Sequence, residues 1–335
     1  MKIKIIFTYF IIIFIAFPFI CFASTDFFSL LPSARKANLP RDILQVSLDN
    51  SFSQSYHFYD SLGNFLEVTD LTYYNNFTTL SIDYGITDHF SMGINIPLAF
   101  RKISKTAGYS TIGLADVYFD LFYEVLNLED PTTSIAVYVC PKFPSGSTSS
   151  SINGETQLPL GNGQIEIGAG LRIKQQFLEY FAAQVTSLYT YKFAAIAEYL
   201  KISITDSTGS YDIGNRKIDF GDDIDTRLDL MFSPIKQLNL QVSGRFIYNF
   251  KTKIDDSYIP YISTAIDTNA GSTDSQGYIL SIIPKIVYAP IKNIEIFVQN
   301  EIPLMGTRYP VAYISEVVSL SGMLDVSAGF NFYFD

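Results

Sequence analysis

The sequence predicts an all-β fold: a closed antiparallel transmembrane β-barrel of about twelve strands. Three observations carry this prediction. Apolar and polar residues alternate with period 2 along nearly the whole chain after residue 42. The alternating segments run to about 11–20 residues, where soluble strands average nearer 5–6. The links between them alternate between short and long, as in outer-membrane barrels.

Composition removes other classes. The chain is 48% hydrophobic and 17% charged, too apolar for disorder. Its formal net charge of -10 argues against a nucleic-acid partner and against attraction to an anionic lipid surface. Apart from the first residues, no run of 18 or more apolar residues offers a spanning helix.

The chain start reads as an export signal. Lys2 and Lys4 form a positive n-region and Ile5 to Ile20 an apolar run. Cys21-Phe22-Ala23 then sets small residues before a cleavage point at Ser24. Ile20 precedes Cys21 where a lipidation signal has a small residue, so no lipid anchor is expected. Residues 1–23 are thus expected to be a cleaved signal peptide and 43–335 a barrel in the cell outer membrane. Residues 24–42 contain Phe27, Phe28, Leu30, Leu31 and Arg35-Lys36, and are expected to form a periplasmic tail or a small hatch in the lumen. After cleavage one thiol remains, Cys140, which cannot form an internal disulfide and reads as a small filler.

The expected strands are 43–58, 67–84, 89–101, 113–126, 133–143, 163–175, 180–203, 216–232, 238–251, 277–288, 294–304 and 318–334. In the third, Phe90, Met92, Ile94, Ile96, Leu98 and Phe100 share one face, with Ser91, Gly93, Asn95, Pro97 and Ala99 on the other. In the fourth, Val117, Phe119, Leu121, Tyr123 and Val125 alternate with Asp116, Tyr118, Asp120 and Glu124. The sixth sets Ile165, Ile167, Leu171 and Ile173 against Gln164, Glu166, Arg172 and Lys174. The ninth sets Leu238, Leu240, Val242 and Phe246 against Asn239, Gln241, Ser243 and Arg245. The last sets Leu324, Val326, Phe330, Phe332 and Phe334 against Asp325, Ser327, Asn331 and Tyr333. The aromatic spacing of that last strand makes the barrel-assembly machinery an expected partner.

Short links fall at 85–88, 127–132, 176–179, 233–237 and 289–293, and long ones at 59–66, 102–112, 144–162, 204–215, 252–276 and 305–317. An even strand count puts both termini on the periplasmic side. Phe232-Ser233-Pro234-Ile235-Lys236 and Tyr288-Ala289-Pro290-Ile291-Lys292 repeat one hairpin pattern, with Tyr84 to Met92 a looser copy. Tyr84, Phe232 and Tyr288 are expected at one height, as an interfacial girdle.

If the apolar parity faces lipid, the polar parity lines the lumen. The candidate lining residues are Asp116, Asp120, Glu124, Arg172, Asp219, Asp223, Asp225, Arg227, Asp229 and Arg245. Carboxylates on alternate residues of one strand suit a hard cation. The stronger expectation is ion pairing with Arg172, Lys174, Lys192, Arg245, Lys251 and Lys285. No catalytic, cofactor or metal site is expected. The mature chain has two histidines, His89 at a short turn and His57 near a long loop with Asp60, and no G-x-S-x-G element. Gly161-Asn162-Gly163 precedes a strand and reads as a tight turn rather than a phosphate loop.

Four elements carry a family resemblance. Tyr84-Gly85-Ile86-Thr87-Asp88-His89-Phe90-Ser91-Met92-Gly93, Gly113-Leu114-Ala115-Asp116, Lys142-Phe143-Pro144-Ser145-Gly146 and Leu160-Gly161-Asn162-Gly163 occur in that order. They resemble motifs of the outer-membrane transporter family named for the MetA pathway of phenol degradation. His89 stands where that family has a basic residue or Asn, and the chain ends Phe334-Asp335 rather than on the aromatic. The resemblance implies an outer-membrane barrel that transports small molecules, with apolar or aromatic solutes suggested by the family name alone. The expected function is therefore a passive conduit whose partners are outer-membrane lipid and a small solute. The alternatives are a structural or surface-interaction barrel with a filled lumen, and, less favoured, a rim hydrolase.

Overall fold

The computed structural model describes residues 39–334 except 40, 56, 60–64, 68–71, 105–108, 130–131, 148–150, 153–154, 157–159, 162, 179, 204–209, 220, 252, 255–256, 259–275, 292 and 308–323. The expected signal peptide, residues 1–23, and most of the 24–42 segment lie outside the described residues.

Twelve strands form the wall: β1 (Leu44–Ser55), β2 (Thr72–Gly85), β3 (Phe90–Ser104), β4 (Tyr109–Leu114 continued by Val117–Glu129), β5 (Thr132–Phe143) and β6 (Glu166–Leu178). They continue as β7 (Phe181–Lys192), β8 (Asp223–Ile235), β9 (Leu238–Asn249), β10 (Gly277–Ile291), β11 (Ile294–Thr307) and β12 (Leu324–Phe334). Each pairs antiparallel with its sequence neighbours. β1 pairs with β2 on one side and with β12 on the other, in register from Leu44↔Phe334 to Gln54↔Leu324. The sheet is closed, so no edge strand is left unpaired. Among the described residues no helix is long and apolar enough to cross a membrane.

The facing is inverted relative to a soluble sheet. Leu98 is 52% exposed and Val125 59%, while Ser91 is 3% and Asn95 5% exposed. Gln164, Glu124, Asn239, Ser243 and Ser281 are the largest fully buried side chains. Apolar residues outside and polar ones inside are what a lipid solvent and a polar lumen require.

The short turns follow from local chemistry. Thr87 Oγ1 accepts hydrogen bonds from the His89 and Phe90 amides at 3.2 and 3.0 Å, closing the β2–β3 turn. In the β8–β9 turn, Asn239 Nδ2 donates to Ser233 Oγ at 2.9 Å. Tyr84, Phe232 and Tyr288 each stand within the last four residues of a strand at this end of the barrel. Tyr180 meets Phe232 edge-on there, with ring centroids 5.9 Å apart.

Four of the expected strands depart from their boundaries. The expected fourth strand is broken at Ala115-Asp116, and the outward parity changes there. Ile112 and Leu114 are exposed before the break, Tyr123 and Val125 after it. The expected seventh and eighth strands stop at the rim. Ala195–Ser203 and Ser210–Asp219 instead pair as a hairpin in a separate sheet. Gly221 (φ 72°) marks the change, since a Cβ there would lie 2.5 Å from the Phe250 carbonyl. Asp222 closes the rim beside it, accepting from the Lys192 amide at 3.0 Å and from the Tyr189 hydroxyl. Finally, β1 ends at Ser55, and His57–Tyr59 forms a separate short ladder with Phe65–Glu67.

Candidate functional site: the lumen and its latch

Small and bulky side chains share the interior. Ser47, Ser51, Ser81, Ser91, Gly93 and Ser327 face in from β12 through β1 to β3, together with Phe77, Arg101 and Tyr333. Between β4 and β11 several large and charged side chains cluster among small ones. Arg172 lies over the Phe122 ring at 4.6 Å and the Tyr138 ring at 5.7 Å, and those two rings stack at 5.3 Å. Gly170 leaves the room, since a Cβ there would lie 2.5 Å from Tyr138 Cζ. Lys285 Nζ stands 4.3 Å from the Phe297 ring centroid.

On β8 and β9, Arg227 and Arg245 are directly opposed in register. Two like charges so placed repel, and each is offset by its own carboxylate. Arg245 forks onto Asp225, with Nη2–Oδ2 at 2.6 Å, and its Nη1 reaches Glu301 at 3.1 Å. Arg227 donates from Nε to Asp229 and from Nη2 to Ser243 at 2.9 Å. Asp229 also accepts from Gln241 at 2.8 Å and from Ser243. At the rim Lys192 pairs with Asp223 at 2.9 Å. The candidates Asp223, Asp225, Arg227, Asp229 and Arg245 are thus held together in ion pairs.

The other candidates have different settings. Glu124 is buried beside the short turns, accepts from Ser134 at 2.6 Å and lies 4.0 Å from His89 Nδ1. Asp120 accepts from Asn95 Nδ2 at 2.7 Å and from Cys140 Sγ at 3.0 Å. Gly93 is the register partner of both Asp83 and Asp120, and a Cβ on it would collide with Asp83. Asp49, Asp83 and Asp120 have no basic side chain within ion-pair distance among the described residues. Sequence reasoning missed Asp49 and Asp83, although both fall on the polar parity of their strands. Asp219 does not share the β8 face. Its backbone pairs with Lys253 beyond the rim, and its side chain lies outside the described residues.

Asp116 departs from the lumen-lining expectation, because the break in β4 turns it into a latch at the long-loop end. Its Oδ1 accepts from the Gly146 amide at 3.0 Å, and Lys142 Nζ stands 3.9 Å away while bonding Glu166 at 2.6 Å. A Cβ on Gly161 would collide with the Asp116 carboxylate, and one on Gly146 would lie 2.8 Å from the Gly161 nitrogen. Ser145 Oγ bridges the break, accepting from the Val117 amide at 2.8 Å and donating to the Ala115 carbonyl at 2.9 Å. Leu160 is buried against Ala99 and Ala115 with Phe77 beside them, and Gly113 makes room for it. Three of the four resemblance elements therefore meet at one place.

His57 and His89 lie at opposite ends of the barrel, so they form no common site. Among the described residues no group of three His, Cys, Asp or Glu side chains is arranged to hold a metal ion.

Closure, inverted facing and a polar interior define a transmembrane β-barrel of the outer-membrane type. An outer membrane channel from Pseudomonas putida F1 shares this fold, with a TM-score of 0.65 at 13% identity over 91% of this chain and 100% of that one. The TodX monoaromatic hydrocarbon channel (deltaS2 mutant) aligns at a TM-score of 0.47 and 9% identity, over 90% of this chain and 91% of its own. The CymD monoaromatic hydrocarbon channel aligns at 0.43 and 8%, over 88% and 89%. Likeness at these identities speaks to the fold, and the two weaker overlaps carry nothing about solutes. No protein-family model matches the sequence, and no curated protein matches it.

Proposed function

We propose that this chain is a passive outer-membrane conduit for small polar solutes, with a preference for cations. The observation that carries this reading is the row of Asp49, Asp83 and Asp120, which faces the lumen and forms no direct ion pair among the described residues, with Lys285 and Arg172 acting on Asp49 and Asp120 only from farther off. Fixed acids in a narrow passage concentrate cations, and salt screens the effect. The ion pairs on β8 and β9 move the expected locus of selectivity. Asp223 and Asp225 are already paired with Lys192 and Arg245, so selectivity is expected at Asp49, Asp83 and Asp120 instead. The motif resemblance supports membership of the phenol-pathway transporter family. The polar lining favours hydrophilic solutes over the aromatic ones that the family name suggests.

Planar-bilayer recording tests the proposal. The expected result is stepwise conductance with a cation-directed reversal potential across a salt gradient. That preference should weaken at high ionic strength and fall in the Asp83→Asn/Asp120→Asn variant. Anion preference, or no conductance even with residues 24–42 removed, favours the structural barrel. The bulky cluster in the lumen, with Arg172 stacked on Phe122 and Tyr138, is the observation behind that second reading. The proposal includes export with cleavage after Ala23. Amino-terminal sequencing of protein from outer membranes should begin at Ser24.

A further inference from the structure

Most of the outward face of the barrel is apolar; polar side chains on the lipid-facing parity include Asn300, Ser187 and Thr226, and the largest group lies across β1 and β2. There Asn50, Asn76 and Thr78 occupy the lipid-facing parity, between Leu80 and Ile82 below and Phe52 and Tyr74 above. Asn50 Nδ2 donates to Thr78 Oγ1 at 2.8 Å and to Asn76 Oδ1 at 3.2 Å, and Asn76 Nδ2 returns a bond to Asn50 Oδ1 at 3.2 Å. The trio leaves one Asn76 amide hydrogen and the Thr78 hydroxyl hydrogen without a partner among the described residues.

The height of this cluster gives it meaning. Tyr84 marks the short-turn interface of β2, and Tyr74 with exposed Lys102, its register partner on β3, marks the other. Asn76 and Thr78 fall between them on the lipid-facing parity, two and four residues from Tyr74. Unmatched polar groups there are costly, because lipid offers no hydrogen bonds. The Ser187–Thr226 pair shows the contrast: it also faces outward, and its two hydroxyls bond each other at 2.9 Å.

We propose that the β1–β2 face is the contact surface for a second copy of this chain, side by side in the membrane. Two copies inserted with the same orientation are related by an axis along the membrane normal. Each residue near that axis therefore meets its own counterpart at its own height. A carboxamide is suited to this meeting because it both donates and accepts, so Asn76 can bond Asn76 of the other copy. Ala328, exposed and in register with Asn50 on β12, keeps the adjoining surface low enough for close approach.

Disulfide capture in the full mature protein tests this. In a Cys140→Ser background reconstituted in lipid, Asn76→Cys under mild oxidation should give several-fold more linked dimer than Val185→Cys on the opposite side. Ala328→Cys serves as a second reporter should Asn76→Cys fail to fold. Asn50→Leu/Asn76→Leu, with folding verified by heat-modifiable migration, should lose the dimer seen by mass measurement of the untagged protein. Equal capture at Val185, or a monomeric parent protein, overturns the proposal. So does an unchanged dimer in the leucine variant, and a monomer stabilised by those leucines assigns the face to lipid.

Discussion

Facing is decided one residue at a time, because adjacent strand residues meet opposite solvents. On β9 Val242 is exposed to lipid while Ser243 next to it is fully buried. Val242→Arg, near the middle of the strand, should cost about 2–4 kcal/mol, and Leu240→Arg, two residues nearer the turn, should cost less because the penalty falls toward the interface. Denaturant titration of the folded barrel in liposomes, read by gel migration, measures both, and an equal loss at the two positions would refute the depth assignment. Parity made this contrast legible in the sequence, but it did not show that Ser243 is fully enclosed. That burial comes from Arg227, Gln241 and Asp229 converging on its hydroxyl from two strands.

At the scale of elements, the long connection 144–162 is more than a solvated loop. Its two ends return to the break in β4, where Asp116 holds the Gly146 amide and Leu160 enters the small core beside Ala99. Asp116→Leu should remove the acceptor and crowd Gly161, releasing this connection. The expected result is protease cleavage between Ser147 and Leu160 in proteoliposomes, in a barrel that still migrates as folded. Asp116→Asn keeps an acceptor oxygen and should stay resistant; equal cleavage of both variants would argue against the hydrogen bond as the latch. The sequence motifs marked these residues, yet their order along the chain concealed their meeting. Asp116, Gly146 and Gly161 are brought together only by the break that reverses parity.

For the whole molecule, closure is the property on which the rest depends. Phe330, Asn331, Phe332, Tyr333 and Phe334 pair with Leu48, Ser47, Val46, Gln45 and Leu44, and the earlier part of β12 pairs with β1 as well. Removing residues 330–335 exposes backbone donors and acceptors to lipid on both β1 and β11, where each unpaired group is costly. The truncated chain should lose heat-modifiable migration and accumulate outside the outer membrane. A folded band from the truncated chain would show that closure tolerates a partial seam.

The sequence by itself determined the strand count, the order of short and long links and the inverted facing. Each depends on local periodicity, which a strand expresses wherever it lies. Tertiary structure alone decided how the charges are shared. Asp225 is matched by Arg245, twenty residues away, and Asp229 by Arg227 on its own strand, while Asp49, Asp83 and Asp120 form no direct ion pair among the described residues. It also moved Asp219 out of the β8 face, because Gly221 breaks the strand before its alternation can carry through. Pairing between charges depends on which strands become neighbours and in what register, and a one-residue shift would reassign every partner.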